Sequence, residues 1–149
     1  MSLDAETSAE LTGREWLAFL MESPRRAGIA DTLDFNLVEV DDGRVVFEGA
    51  PGRKVYNPIG TVHGGYAATM LDSACGCAVQ SKLAGRQGFT TLELKVVYHR
   101  AMTDATGAVR AEGNVVSFGR RVAFAEATLK GLDGRLYASA TSTLLVFDR

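Results

Sequence analysis

Cysteine, histidine and proline are scarce in this chain, which contains two, two and three of them among 149 residues. The two cysteines, Cys75 and Cys77, lie two positions apart in a segment predicted to be helical. At about 100° per residue their side chains point roughly 200° apart, so they can neither form a disulfide with each other nor easily share a metal ion. The sequence therefore predicts no structural metal site.

An excess of positive charge and a long apolar run are also absent. The formal net charge is −2, which excludes the basic surface typical of nucleic-acid-binding proteins. No stretch of about 18 apolar residues occurs, and the first residues lack the basic and apolar regions of a secretory signal. We therefore expect a cytoplasmic protein with neither a nucleic acid nor a membrane as partner.

Several common catalytic motifs are missing as well. The chain has no P-loop, no Gly-x-Gly-x-x-Gly dinucleotide motif and no Gly-x-Ser-x-Gly nucleophile elbow. A nucleotide cofactor and a serine hydrolase are therefore unsupported, and we expect no cofactor.

The length fits a single domain over residues 1–149, with residues 1–8 as a disordered tail. Thr12 and Glu15 have the spacing of a capping box. An amphipathic pattern follows them, which predicts an N-terminal helix.

Most of the remaining pattern is typical of antiparallel strands. Two strand-like runs surround Asp42-Gly43, the strongest short signal for a β-hairpin. Four later segments alternate apolar and polar residues and are joined by short turns, at 89–98, 108–118, 122–130 and 136–147. In the first of these, alternation predicts that one face carries Leu92, Leu94, Val96 and Tyr98.

Between the hairpin and the meander lies a long helical segment within Asn57–Leu83. It has no continuous polar stripe, so the helix should be buried on all sides. Asp72 is the one acidic residue inside it, and an aspartate in such surroundings usually needs a partner. We predict an α+β fold in which a curled antiparallel sheet, or a sheet and a partner chain, wraps this central helix.

The start of this helix carries His63-Gly64-Gly65. The free N–H groups of a first helical turn favour negative charge, including a developing oxyanion, although a tight loop also explains the glycines. Asp72 follows nine residues after His63, or about 13 Å along the axis and half-way round the helix. The two can share a reaction only if they come from different chains, which predicts a dimer with two shared sites. The alternative for Asp72 is a structural carboxylate.

These residues carry a family resemblance. Asn57-Pro-Ile-Gly-Thr-Val-His63-Gly64-Gly65, followed by Leu71-Asp72, resembles the signature of hotdog-fold acyl-CoA thioesterases. More narrowly it is similar to the PaaI-like (phenylacetic acid degradation-type) branch. The resemblance covers the chain from the first hairpin to Phe147. It implies hydrolysis of an acyl- or aryl-acyl-CoA thioester to the free acid and coenzyme A, with coenzyme A as part of the substrate.

The resemblance also implies a role for each matching residue. Asp72 would be the general base or nucleophile, acting across a dimer interface, and the Gly64 N–H would donate to the thioester carbonyl. Asn57 and His63 would hold that carbonyl or the attacking water. Thr91 occupies a position where the family carries a serine that orients water, although a β-branched strand residue is an equal explanation.

Substrate contacts follow from the chemistry of coenzyme A, whose phosphates should meet basic side chains. Arg120 and Arg121 resemble the coenzyme-A-contacting turn of the family, and Arg100 is a weaker candidate; a solvated charge explains each equally well. Gly65 would approach the substrate at the helix start. An apolar acyl pocket is predicted from Tyr66, Met70, Trp16 and Phe19.

The expected assembly is a homodimer, further paired as a dimer of dimers. Two other functions fit the same residues. One is a hotdog dehydratase or hydratase, which an enoyl-CoA substrate would reveal. The other is a non-catalytic acyl-CoA sensor, against which the buried Asp72 argues, because a pure binder has no need of a buried carboxylate.

Overall fold

The computed structural model describes residues 5–149. Six antiparallel strands and one long helix dominate it, preceded by three short helices. The elements are α1 Ala5–Glu10, α2 Gly13–Glu22, α3 Gly28–Leu33, β1 Phe35–Asp41, β2 Arg44–Gly49, a 3₁₀ turn Arg53–Val55, α4 Gly64–Gln80, β3 Gln87–Tyr98, β4 Val109–Phe118, β5 Val122–Gly131 and β6 Leu136–Asp148.

The first described element is the short helix α1, Ala5–Glu10, and residues 1–4 of the predicted tail lie outside the described residues. The capping box at α2 is confirmed: the Thr12 hydroxyl accepts from the Glu15 N–H at 3.3 Å, and the Glu15 carboxylate accepts from the Thr12 N–H at 2.8 Å. Within the described part of the chain, no helix is long and apolar enough to cross a membrane.

The sheet has the order β1-β2-β4-β5-β6-β3, and every neighbouring pair is antiparallel. α4 packs mainly against β2, β3, β4, β5 and β6, and β1 is covered by α2 and α3. Contact is closest at Gly113 of β4, where a Cβ atom would lie 2.2 Å from the carbonyl oxygen of Ala74. Only glycine lets the helix backbone approach the strand so closely. The predicted α+β architecture, a central helix held in a curled antiparallel sheet, is confirmed.

One predicted strand face is wrong in part. The pairing of β3 with β6 shifts by one residue between Thr91 and Glu93, which is a β-bulge at Leu92. Leu92 is therefore 59% exposed rather than turned to the helix. Leu94, Val96 and Tyr98 do share the inner face, because their partners Ser142, Ala140 and Ala138 are buried.

Before the bulge, the odd-numbered residues of β3 face inward instead of the even-numbered ones. Phe89 and Thr91 pair with Val146 and Leu144, both buried. A bulge adds one residue to one strand and so reverses the alternation beyond it. Phe89, Thr91 and Tyr98 consequently all face α4, although alternation alone would place Tyr98 on the opposite face.

α4 is not buried all round within one chain. The sheet does not close, since β1 and β3 are its two edges. Between these edges a stripe of small and polar helix residues stays partly or fully exposed: Gly64, Gly65, Ala68, Thr69, Asp72, Ser73 and Cys77. The stripe follows the helical repeat of 3.6 residues, and its small side chains leave room for close packing of another element.

Candidate active site

The first turn of α4 leaves one N–H group available. His63 is the N-cap residue, and its Nδ1 accepts from the Gly65 N–H at 2.8 Å. The Tyr66 N–H donates to the His63 carbonyl at 3.0 Å. Among residues 5–149, the Gly64 N–H has no hydrogen-bond acceptor. Because His63 Nδ1 acts as an acceptor, the proton of the neutral ring lies on Nε2, which is free to donate.

Tyr98 fixes the edge strand against this helix start. Its hydroxyl donates to the Gly64 carbonyl at 2.7 Å. A Cβ atom at position 64 would lie 3.0 Å from Cζ of that ring, so glycine makes the contact possible. Tyr98 was predicted only as a face residue of β3. Its hydrogen bond to Gly64 has no signal in the sequence.

Asp72 and Thr91 are brought together by the structure. Thr91 Oγ1 donates to Asp72 Oδ1 at 3.0 Å, and both side chains are partly buried. Eight residues separate Asp72 from Gly64, which is about 12 Å along the helix axis. Within one chain, the carboxylate and the free N–H therefore lie too far apart to act on the same carbonyl.

Two cavities flank the helix start. We call the first the Gly64 cavity; its volume is about 370 Å³. It lies on the β3 side and is lined by Val62, His63, Gly64, Ala67, Tyr98, His99, Arg100, Ala101, Met102, Tyr137 and Ala138. Within residues 5–149 Arg100 forms no ion pair with a carboxylate, so its charge is available to an anion.

The second cavity, called here the Tyr66 cavity, has a volume of about 340 Å³. It lies on the other side of His63, which lines both, and its other walls are Leu33, Lys54, Val55, Tyr56, Gly65, Tyr66 and Thr69. The Tyr66 hydroxyl is buried and has no hydrogen-bond partner within the described residues. Burial, and to a lesser degree the charge of Asp34, raises the pKa of Tyr66 to about 12, so this hydroxyl stays neutral.

Asn57 is engaged in its own turn rather than directed at the helix start. Its Oδ1 accepts from the N–H groups of Ile59 at 3.2 Å and Thr61 at 3.1 Å. Its Nδ2 donates to the Thr61 hydroxyl at 3.0 Å. Asn57 therefore shapes the loop that leads into His63.

Within one chain, the predicted arginines lie in two different places, Arg100 near Gly64 and the other two nearer Asp72. Arg100 lies beside Gly64, as described above. Arg120 and Arg121 lie on the β4–β5 turn, where the Arg121 carbonyl accepts from the Val146 N–H at 2.7 Å. Val146 pairs with Phe89, which lies over Gly76, so this turn is nearer Asp72 than Gly64.

The predicted acyl pocket is not assembled as expected within one chain. Met70 is fully buried in the core beneath α4. Trp16 and Phe19 stack on each other on α2, with ring centroids 5.7 Å apart. Of the four residues, only Tyr66 lines either cavity at the helix start.

A long helix in an open, curled antiparallel sheet is the hotdog fold, here with a free N–H at the helix start and a carboxylate two turns later. A family model described as "Thioesterase superfamily" matches residues 59–138, more than half of the chain. The protein therefore belongs to the thioesterase superfamily. No curated protein matches the chain at a significant level.

Solved structures agree with this assignment. A thioesterase family protein from Silicibacter pomeroyi is 28% identical, has a TM-score of 0.78, and the alignment covers 93% of this chain and 97% of that one. A phenylacetic acid degradation-related protein from Ralstonia eutropha JMP134 is 26% identical, with a TM-score of 0.77 and coverage of 87% and 98%. A conserved protein from Pseudomonas aeruginosa is 27% identical, with a TM-score of 0.76 and coverage of 82% and 95%.

Proposed function

We propose that this protein is an acyl-CoA thioesterase of the PaaI-like branch, releasing a free acid and coenzyme A. The observation that carries the proposal is the pair of groups on one helix: the free Gly64 N–H and the Thr91-bound carboxylate of Asp72. Membership of the thioesterase superfamily supports the reaction class. The likeness to the Ralstonia eutropha protein supports the branch.

Asp72 and Gly64 would divide the chemistry between them. As a general base, Asp72 takes a proton from water while the water oxygen bonds to the acyl carbon. The Gly64 N–H donates to the carbonyl oxygen as it gains negative charge, and the helix dipole adds to this effect. The carbon–sulfur bond then breaks, and the coenzyme A thiolate takes up the proton. Direct attack by the carboxylate is the covalent variant of the same step.

The working unit would be a dimer in which each site uses two chains. Asp72 and Gly64 are about 12 Å apart along α4, whereas one carbonyl must touch both. A second chain running antiparallel along the exposed helix stripe would set its Gly64 opposite Asp72. The small residues of that stripe and the free edge of β3 support such packing. The dimer would pair further into a dimer of dimers.

His63 would orient the helix start and the substrate together. Its Nδ1 accepts a hydrogen bond from the Gly65 N–H, which leaves the Gly64 N–H as the free donor. Its Nε2–H would then be a second donor for the thioester carbonyl. Asn57 would act by holding the preceding loop, which makes it a positioning residue.

The pantetheine arm of coenzyme A would occupy the Gly64 cavity, with Arg100 near a phosphate. Arg120 and Arg121 lie on an exposed turn nearer Asp72 than Gly64 of their own chain, so in a two-chain site we propose them as phosphate contacts from the chain that supplies Asp72. Replacing Arg100 by Gln should raise KM for acyl-CoA esters several-fold at unchanged kcat. The matched change at Arg121 should also raise KM.

Turnover of an acyl-CoA panel, followed with a thiol-reactive dye, tests the proposed activity. Phenylacetyl-, benzoyl-, hexanoyl- and octanoyl-CoA would be compared for wild type, Asp72→Asn and Asp72→Ala. We expect wild-type turnover and a fall in kcat of about a hundredfold or more for Asp72→Ala. Wild-type rates in Asp72→Ala would reject the mechanism. Tight binding of an ester without thiol release would identify a binding module, and hydration of an enoyl-CoA would identify a hydratase.

A mixing experiment tests the two-chain site. Gly64→Pro removes the N–H at the first helical position, where proline is well tolerated, and the backbone of His63 (φ −59°, ψ 135°) suits a residue before proline. Gly64→Ala is the control, because it adds a Cβ near Tyr98 but keeps the N–H. Gly64→Pro and Asp72→Ala should each be inactive.

Refolding the two inactive variants together should restore about a quarter of wild-type activity. Half of the random dimers are mixed, and each mixed dimer has one of its two sites intact. No recovery, with mixed dimers verified by mass spectrometry, would show that the site lies within one chain.

A further inference from the structure

Phe89 lies beside the proposed catalytic carboxylate, on the same inner face of β3 as Thr91. The two residues are two positions apart, and their cross-strand partners Val146 and Leu144 are both buried. Thr91 contacts Asp72, and Phe89 lies over Gly76, one helical turn later. The ring is only partly buried, so part of its surface remains exposed.

The absence of a side chain at Gly76 allows the ring of Phe89 to pack directly on the helix. A Cβ atom at position 76 would lie 2.9 Å from Cε2 and 3.0 Å from Cζ of Phe89. Real Cβ atoms do not approach so closely, so any other residue at 76 would displace the ring. Glycine inside a helix is less stable than alanine, and the ring contact is a reason for its presence here.

We infer that Phe89, seated on Gly76, forms the wall of the acyl site and favours aryl-acyl over straight-chain acyl thioesters. This inference rests on the proposed function. If the pantetheine arm fills the partner's Gly64 cavity, the acyl group extends from Asp72 along α4 toward Gly76. One helical turn of four residues is about 6 Å, within reach of a ring attached to the thioester carbon.

The preference for aryl groups follows from ring–ring contact. Two aromatic rings in an offset or edge-to-face arrangement gain attraction beyond the apolar area that they bury. An alkyl chain of similar area lacks this gain. The ring of Phe89 should therefore matter more for phenylacetyl-CoA than for hexanoyl-CoA.

The test compares kcat/KM for phenylacetyl-CoA and hexanoyl-CoA in wild type and Phe89→Leu. We expect the aryl-to-alkyl ratio to fall about two- to tenfold in the variant. Phe147→Leu is the matched control: Phe147 also contacts a glycine, Gly88, but it is 41% exposed, next to the buried Val146. The aryl-to-alkyl ratio of Phe147→Leu should equal that of wild type.

Gly76→Ala tests the same contact from the helix side. The added methyl group should push the ring toward the substrate and lower kcat/KM for phenylacetyl-CoA more than for hexanoyl-CoA. In the double variant with Phe89→Leu this selective loss should largely disappear, because the ring that transmits it is gone.

The outcomes separate this inference from the proposed function. If wild type hydrolyses none of the esters, the proposed function fails. If wild type hydrolyses them but Phe89→Leu leaves the aryl-to-alkyl ratio unchanged, the role of Phe89 is wrong while the function stands. A selective loss in Gly76→Ala that persists in the double variant would likewise overturn it.

Discussion

The hydroxyl of Thr91 lies 3.0 Å from Oδ1 of Asp72 and connects the edge strand β3 to the middle of α4. This contact gives a partly buried carboxylate a hydrogen-bond donor, which such a group requires. Within the described part of the chain, the other carboxylate oxygen accepts no hydrogen bond. The donor comes from β3, where the bulge at Leu92 changes which residues face α4. Simple alternation along the strand therefore does not predict that Thr91 faces the helix together with Tyr98.

Removing the Thr91 hydroxyl should impair catalysis more than folding. For Thr91→Val, which keeps the shape, we expect kcat to fall about tenfold with KM nearly unchanged, as for the loss of one hydrogen bond to a charged group. Thr91→Ser should retain most activity. Thr90→Val, at the exposed neighbouring position, is the control. Equal rates for Thr91→Val and wild type would assign Thr91 a purely structural role.

Gly113 should be intolerant of a side chain. A methyl group at this position meets the Ala74 carbonyl oxygen at 2.2 Å, and neither backbone can yield without separating α4 from β4. Gly113→Ala should lower the free energy of unfolding by about 3 kcal/mol or more, measured by urea denaturation. Gly52→Ala is the control, since no atom lies within 4 Å of the added methyl group. A small effect at Gly113 would contradict the tight helix–strand contact.

The outer face of the hairpin carries a charge network that should make stability depend on pH. Arg44 donates to Glu112 at 2.7 Å, to Glu39 at 2.8 Å and to Asp41 at 2.9 Å. The hydrogen bond from Arg44 lowers the pKa of Glu112 and that of Glu39, which Arg110 lowers further. A carboxyl with a lowered folded pKa stabilises the fold above its unfolded pKa and loses that contribution as the pH falls through its folded pKa.

The unfolded pKa of glutamate is about 4.3, so the network should contribute fully at pH 7 and fade below about pH 4. Arg44→Gln should therefore be less stable than wild type at pH 7, and the difference should shrink as the pH falls. Urea denaturation at several pH values between 7 and 3 measures it. A difference that stays constant with pH would mean that Arg44 acts through packing alone.

Both cysteines should be unreactive in the folded protein. Burial, with a contribution from the charge of Asp72, raises the pKa of Cys75 to about 12 and that of Cys77 to about 12. Little thiolate therefore exists at pH 8. A thiol-reactive dye should find no reactive thiol in native protein and two after denaturation in guanidinium chloride, matching the two cysteines of the chain. Rapid reaction of one native thiol would show that Cys77, which lies on the partly exposed stripe of α4, reacts despite its raised pKa.

The sequence by itself determined the helix after Thr12, the central helix, the strands and the order of these elements. The capping residues Thr12 and Glu15, the Asp42-Gly43 turn and the alternation of the last three strands depend on neighbours in the chain, and they are confirmed. The segment with Asp72 as its one acidic residue predicted the central helix, because apolar residues on every side require burial. The pairing of His63-Gly64-Gly65 with Asp72 in different sites followed from helix geometry, and its two-chain form stays a prediction.

Only the tertiary structure decided which strand residues meet the helix. The bulge at Leu92 sets Phe89, Thr91 and Tyr98 on one face, and it depends on the register against β6 rather than on local sequence. The sequence also does not predict that Gly113 and Gly76 are required for close contacts, because those contacts are with distant segments. Local pattern is fixed by a residue's own neighbours, whereas contacts between distant segments depend on register, and a shift of one residue reverses them.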